Sequence, residues 1–296
     1  MFSLVNKHIP KNAKNDFLSG LTVALALVPE AVAFALVAHV HPLVGLYAAF
    51  MVGMITSVLG GRPGMISGAT GALAVVMVAL VVEHGVDYLF AAVVLMGLLQ
   101  IAFGLFKLGK FIRLVPHPVF LGFVNGLAMV IFLAQLGHFK TTEGTWINND
   151  ALMIMAGLIA LTMSIIHFLP KLTTAIPSTL VAIIAGSAIA IAFNLDTKTV
   201  GDMASISGSL PDFAIPNIPF TLETLYIILP YSVILALIGL IESLLTLNLV
   251  DELTETTGKP NKESVAQGIA NTVTGFFGGM GGCAMVGQSI INIKSG

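Results

Sequence analysis

The chain has 296 residues, 56% of them hydrophobic and only 9% charged, with a formal net charge of −2. Soluble domains carry about 25% charged residues, so this composition excludes a water-soluble globule, and the lack of excess basic charge excludes a nucleic-acid partner. The single cysteine, Cys283, excludes an internal disulfide; with no CxxC or HExxH spacing and seven scattered histidines, neither a metal nor a cofactor is expected.

Long apolar runs without strict alternation predict an all-α integral membrane protein and not a barrel. The basic N-terminal segment (Lys7, Lys11, Lys14) precedes an apolar run that is too long for a signal peptide and lacks a small-residue cleavage site, so it stays as a first span. A spanning helix needs about 20 apolar residues. Spans are predicted near 17–38, 42–59, 87–106, 114–137, 150–169, 176–193, 223–250 and 262–278. The longest polar connection, 195–222, carries Asp196, Asp202, Asp212, Pro211, Pro216 and Pro219. With the N-terminus inside, the cytoplasm receives Lys7, Lys11, Lys14, Arg62, Lys107, Lys110, Arg113, Lys171, Lys259 and Lys262, against only Lys140 and Lys198 outside. This bias orients the chain as a multi-pass protein of the cell's inner (plasma) membrane with a cytoplasmic N-terminus and an outward-facing 195–222 loop.

Between the second span and a shorter apolar run lies GGRPGMISGATG, residues 60–71. The run Ala69–Val82 would be about 21 Å long as a helix, short of the ~30 Å hydrocarbon core. It is expected to start inside the membrane, with extended backbone leading to it and Ser67 and Thr70 as candidate caps. Its amides and positive dipole end would then face a midplane cavity as an anion site. Residues 278–289, GGMGGCAMVGQS, read as a second copy: laid on 60–71, both open with Gly-Gly and carry a third glycine, Gly64 and Gly282. Upstream of each copy is a long apolar helix with one acid, Glu30 in LALVPEAVAFALV and Glu242 in LALIGLIESLLTLNL, and the span count gives the two helices opposite directions. Paired interrupted segments in inverted repeats point to a transport site. The second short helix is expected to start near Gly287 and stops at Ser295-Gly296, so the chain reads as a fragment of a longer protein.

Glu30 and Glu242 fall in mid-span, where a charge costs about 2.5–3.5 kcal/mol on insertion scales. They are read as proton or cation coupling sites, the alternative being structural carboxyls bonded to a neighbouring backbone. Phe34 lies one turn from Glu30 on the same face; its ring edge could line an anion site, or the ring could simply pack. Gln288, where the second half-helix begins, could donate its amide to an anion or face a loop. Arg62 is read as a snorkelling cytoplasmic arginine in preference to a source of potential at the site.

These residues resemble the sulfate permease (SulP) family of anion transporters along the whole chain. The pieces that carry the resemblance are Asp16-Phe17 with Ser19-Gly20-Leu21-Thr22, VPEAVAFALVA at 28–38, GLYAAF at 45–50, SGATGA at 67–72 and KLGKFIRLVPHPVFLGFVNG at 107–126, then ESLLTLNLVDELT at 242–254 and NKESVAQGIANTVTGFFGGMGG at 261–282. The resemblance implies seven-plus-seven helices in inverted repeats, short half-helices meeting at the midplane, and a core domain moving against a gate domain. It divides the chain into a cytoplasmic segment 1–16, first-repeat core helices 17–106 with the half-helix near 69–82, gate-type helices 107–193, an extracellular loop 194–222, and the truncated start of the second repeat, 223–296. It places Glu30, Phe34, Ala69, Thr70 and Gln288 at the substrate and Glu242, with Glu30, at the coupling ion. Many relatives have glutamine at the Glu30 position and a basic residue near Gln288; both are absent here, which argues against chloride exchange or channel behaviour. The family pattern continues with four more helices and a cytoplasmic STAS domain.

The resulting expectation is a secondary active transporter of a small inorganic oxyanion, sulfate or bicarbonate, coupled to H+ or Na+, with a homodimer of the full-length form left open. Its competitors are a dicarboxylate or nucleobase transporter of the same fold and a non-transporting membrane interaction protein. No nucleophile–base pair is visible, so the chain is not expected to be an enzyme.

Overall fold

The computed structural model describes residues 13–109, 118, 122, 125, 126, 129, 132, 133, 136–141, 144–173, 178–195, 197 and 209–295. Helix α1 spans Ala13–Val37 and runs on through Pro29; α2 spans Pro42–Leu59 with Pro42 at its first turn, where a missing N–H costs nothing. Then come the strand β1 (Ser67–Gly68), α3 (Gly71–His84) and α4 (Val86–Leu105). Gly85 alone links α3 to α4, at φ +91°, a conformation glycine adopts without strain. Helices α5 (Asn149–Leu172) and α6 (Ser178–Ala192) pack on each other, and α6 touches α1. The chain continues through α7 (Leu222–Thr254), α8 (Pro260–Phe276), β2 (Cys283–Ala284) and α9 (Val286–Ser295).

Five of these helices are long and apolar enough to cross a membrane: α1, α2, α4, α5 and α7. Most of the predicted 114–137 span lies outside the described residues, as do Lys7, Lys11, Lys110, Arg113, Asp196, Lys198, Asp202 and most of the motif at 107–126. The first helix is already formed at Ala13, ahead of the predicted 17, and takes in Lys14, Asn15 and Asp16 of the polar segment. Glu263, Gln267 and Asn271 make α8 the most polar of the long elements, and its polar face is buried against protein.

The two breaks in the helical path pair with each other. β1 and β2 form an antiparallel ribbon with Ser67 opposite Ala284 and Gly68 opposite Cys283. Backbone in lipid must find internal partners, and each break supplies them for the other. Because the strands are antiparallel and each runs into a short helix, α3 and α9 leave the ribbon in opposite directions and their N-termini meet there. The sequence comparison places Met65-Ile66 on Cys283-Ala284; the structure places Ser67-Gly68 there, two residues further on. The glycines at both ends of these segments match in several registers, and the positions of the two strands choose among them.

Helices α4 and α8 meet backbone to backbone. A Cβ on Gly97 would lie 2.5 Å from the Gly268 carbonyl oxygen, and one on Gly268 2.6 Å from both the Gly97 oxygen and the Ile101 nitrogen. Small residues allow this approach, the usual solution for helix pairing in membranes. The apolar core lies among α1, α2, α3, α4 and α7, where Ala31, Ala35, Leu73, Met77, Met96 and Leu235 are fully buried. The two ends of the bundle differ. At one end Lys262 Nζ donates to the Gly60 carbonyl (2.8 Å), Lys259 N to Gly61 O (3.0 Å), and Gly109 N to Asn261 Oδ1 (3.0 Å). At the other, the extended segment 209–221 is tied down by Ala214 N to Phe276 O (2.7 Å) and by Tyr47 Oη to Ser209 O (3.0 Å).

Candidate functional site

The ribbon is gripped by one face of α8. Glu263, Gln267 and Asn271 recur at four-residue spacing, so they line one side of that helix, and all three are buried. Glu263 Oε2 accepts from Gly61 N (2.7 Å), and Gln267 Nε2 donates to Ser67 Oγ (2.7 Å) and Glu263 Oε1 (2.9 Å). Asn271 pairs with both polar groups of the Gly282 peptide: Gly282 N donates to Oδ1 (2.8 Å) and Nδ2 donates to Gly282 O (3.0 Å). Its Nδ2 also reaches Gln100 Oε1 on α4 (2.8 Å). From α7, Ser243 Oγ accepts from Ala284 N (3.0 Å).

The two acids reach across the ribbon. Glu30, on α1, accepts from Gln288 Nε2 in the first turn of α9. Glu242, on α7, accepts from the Cys283 thiol at 2.9 Å, and Cys283 Sγ lies 3.4 Å from the Thr70 hydroxyl at the start of α3. Glu242 is 3% exposed, and it has no cationic partner within ion-pair distance among the described residues. Phe34 stands over the start of α3: a Cβ on Gly71 would lie 2.9 Å from the ring Cε1. Ala69 is fully buried between Gly68 and Thr70.

The structure therefore gathers Glu30, Phe34, Ala69, Thr70, Glu242 and Gln288 around one ribbon. Neither Ser67 nor Thr70 serves as the expected cap. Thr70 occupies the N-cap position of α3 without a side-chain bond to the helix, and the Ser67 hydroxyl is taken by Gln267. The first intrahelical bond of α3 is Ala74 N to Thr70 O (3.0 Å), and that of α9 is Ser289 N to Met285 O (3.1 Å). The amides of Gly71, Ala72 and Leu73, and of Val286, Gly287 and Gln288, thus precede the first helical bonds. Such N–H groups, with the dipole behind them, suit an anion.

Arg62 departs from expectation. It is 8% exposed and does not snorkel. Its Nη2 donates to Val250 O (3.0 Å), to Thr254 Oγ1 and to Thr256 Oγ1 (2.8 Å), and its Nε lies 3.0 Å from Asp251 Oδ1. A cation beside the C-terminal end of α7 meets the negative end of its dipole. Sequence reasoning missed the α8 row. Its signal was available: a carboxylate and two amides at i, i+4 and i+8 in a segment read as a span.

A family model, that of the sulfate permease family, matches residues 14–296. The putative sulfate transporter YbaR of Bacillus subtilis is 55% identical over 285 residues, covering 96% of this chain and 58% of that protein. The bicarbonate transporter BicA of Picosynechococcus sp. is 33% identical over 316 residues, covering 99% of this chain and 56% of its own length. The chain thus spans slightly more than half the length of these relatives. The solved transmembrane domain of a cyanobacterial BicA superposes with a TM-score of 0.76 at 32% identity, covering 98% of this chain and 78% of that one. Murine Slc26a9 gives the same TM-score at 17% identity, covering 100% of this chain and 55% of its own, which supports the fold alone. Paired helix breaks, two acids bonded at the second of them, and matches along nearly the whole length lead to one conclusion: the chain belongs to the sulfate permease family.

Proposed function

We propose that this chain forms the substrate-binding part of a secondary active transporter of a small inorganic oxyanion, sulfate or bicarbonate, driven by H+ or Na+. The observation that carries the reading is the meeting of two helix N-termini, α3 and α9, at a ribbon flanked by two carboxyl groups. The anion sits between these helix starts and accepts from their first amides, with Phe34 and Thr70 beside it and the Gln288 amide turning from Glu30 to the ligand. Glu30 and Glu242 supply the coupling. A carboxylate about 4–8 Å from the anion repels it by roughly 2–4 kcal/mol at an effective dielectric near 20. Anion binding therefore favours a proton or sodium ion on each acid, and the pair moves together. The names of the relatives, sulfate and bicarbonate transporters, support the substrate class. The basic end of the bundle, with Lys259 and Lys262, supports an N-terminus on the cytoplasmic side of the plasma membrane.

The test is uptake of radiolabelled sulfate and of bicarbonate into liposomes carrying the protein, with H+ and Na+ gradients imposed separately. Accumulation of one anion above its external concentration under one gradient is the expected result. Equal, gradient-independent equilibration of both would refute coupled transport.

A further inference from the structure

A two-residue ribbon is too short to fix its own register: isolated two-stranded pairs are marginal even when longer. A slip by one residue would turn every side chain to the opposite face, taking Cys283 away from Glu242 and Thr70. Something outside the ribbon must therefore hold it. We propose that Gln267 and Asn271 of α8 are positioning residues that set this register and with it the separation of the two helix starts; the functional consequence rests on the anion-site reading above. Gln267 holds Ser67, which lies level with Ala284, and Asn271 holds Gly282, two residues before Ala284. Two strand residues advance about 6.7 Å. Four residues of α8 advance about 6 Å. The two anchors on the helix are thus spaced to match two points on the ribbon. After a one-residue slip those points would be about 3.4 or 10 Å apart, and one turn of helix spans neither. Both amides are themselves held in orientation, Gln267 by Glu263 and Asn271 by Gln100. The peptide-like pairing of Asn271 with Gly282 engages donor and acceptor together, so it fixes position and rotation of the strand entry.

Cys283 is the only cysteine in the chain and is fully buried within β2, so its modification rate reports directly on the ribbon. The intact chain is treated with methyl methanethiosulfonate under native conditions, and labelling is followed by mass spectrometry. Global unfolding is measured in parallel. Asn271→Ala and Gln267→Ala should label at least tenfold faster than wild type at conditions where both remain folded. Ser67→Ala, a milder change that spares the bond to Glu263, should label faster than wild type but no faster than Gln267→Ala, and the Ser67→Ala/Gln267→Ala double variant should be no faster than Gln267→Ala, in which the Ser67 link is already lost. Thr272→Ser, on α8 but bonded within its own helix, should behave as wild type. In transport, the same three Ser67 and Gln267 variants should raise the KM for sulfate or bicarbonate, the double variant no more than Gln267→Ala. Unchanged labelling in both Asn271→Ala and Gln267→Ala would overturn the proposal, as would additive effects in the double variant. Labelling needs no transported substrate, so a failure of the anion reading leaves this result readable by itself.

Discussion

Gly71→Ala is the smallest change that tests how the first helix start is built. A methyl group there would lie 2.9, 3.4 and 3.5 Å from Cε1, Cδ1 and Cζ of Phe34. Carbon atoms settle about 3.5–4.0 Å apart, so the ring must move by about 0.6–1 Å. Phe34 is buried among Ala31, Ala35 and Leu73, which leaves it little space to yield. Overpacking of this kind costs about 1–3 kcal/mol. Against it stands the gain from replacing a helical glycine, at most about 1 kcal/mol. The expected net effect is a loss of about 1–2 kcal/mol. In a Phe34→Leu background the Cε and Cζ atoms are gone, and the same substitution should become neutral or stabilising by up to ~1 kcal/mol. Equilibrium unfolding in detergent micelles of the four proteins of this cycle gives the coupling, about 2 kcal/mol where simple additivity gives zero. Equal effects of Gly71→Ala in both backgrounds would show that Phe34 does not stand over the α3 start.

Further substitutions address the other joints. Arg62→Ala should destabilise by about 3 kcal/mol, the low end for breaking a buried pair because Asp251 is partly exposed, and Arg62→Lys should recover little since an ammonium cannot span the same acceptors; denaturant titration measures both. Gly268→Val should abolish folded protein on size-exclusion chromatography, since its side chain would enter the α4 backbone, whereas Gly20→Ala, with nothing within 4 Å, should be tolerated. Cysteines introduced at Lys107 and at Leu210 should be labelled by an impermeant maleimide from opposite sides of the membrane, with buried Cys283 silent; labelling of both from one side would contradict the topology.

Much of the fold was legible because bilayer thickness imposes lengths that a sequence displays directly. The predicted spans at 42–59, 87–106, 150–169 and 176–193 fall within about three residues of α2, α4, α5 and α6 at each end. The breaks were legible too, since glycine and proline clusters between apolar runs have few other uses in lipid. What the pattern could not carry was long-range pairing. The two strands fall at 67–68 and 283–284, two residues off the alignment of the two copies, because glycines match glycines in several registers. Ser67 and Thr70 look like caps in isolation, but Gln267 lies 200 positions away in sequence and claims the Ser67 hydroxyl. Arg62 looked exposed because its partners, Val250, Asp251, Thr254 and Thr256, come from the far repeat. The acids were found because a carboxylate in an apolar helix is conspicuous by itself. The partner of Glu30, Gln288, belongs to the opposite break, whereas that of Glu242, Cys283, belongs to its own.

The measurement that bears most directly on the account replaces each acid by its amide. In Glu242→Gln the side-chain oxygen can still accept from the Cys283 thiol, and in Glu30→Gln it can still accept from Gln288, so charge is removed while shape and hydrogen bonding stay. Anion binding by calorimetry and uphill uptake into liposomes are measured for both variants and wild type under the driving H+ or Na+ gradient. The account predicts that Glu242→Gln binds the anion as well as wild type or better, because a repulsion of roughly 2–4 kcal/mol is gone, yet no longer accumulates it uphill; Glu30→Gln should behave likewise or turn over more slowly. Uphill accumulation by both variants at the wild-type level would mean that the acids are structural and that coupling does not pass through this ribbon.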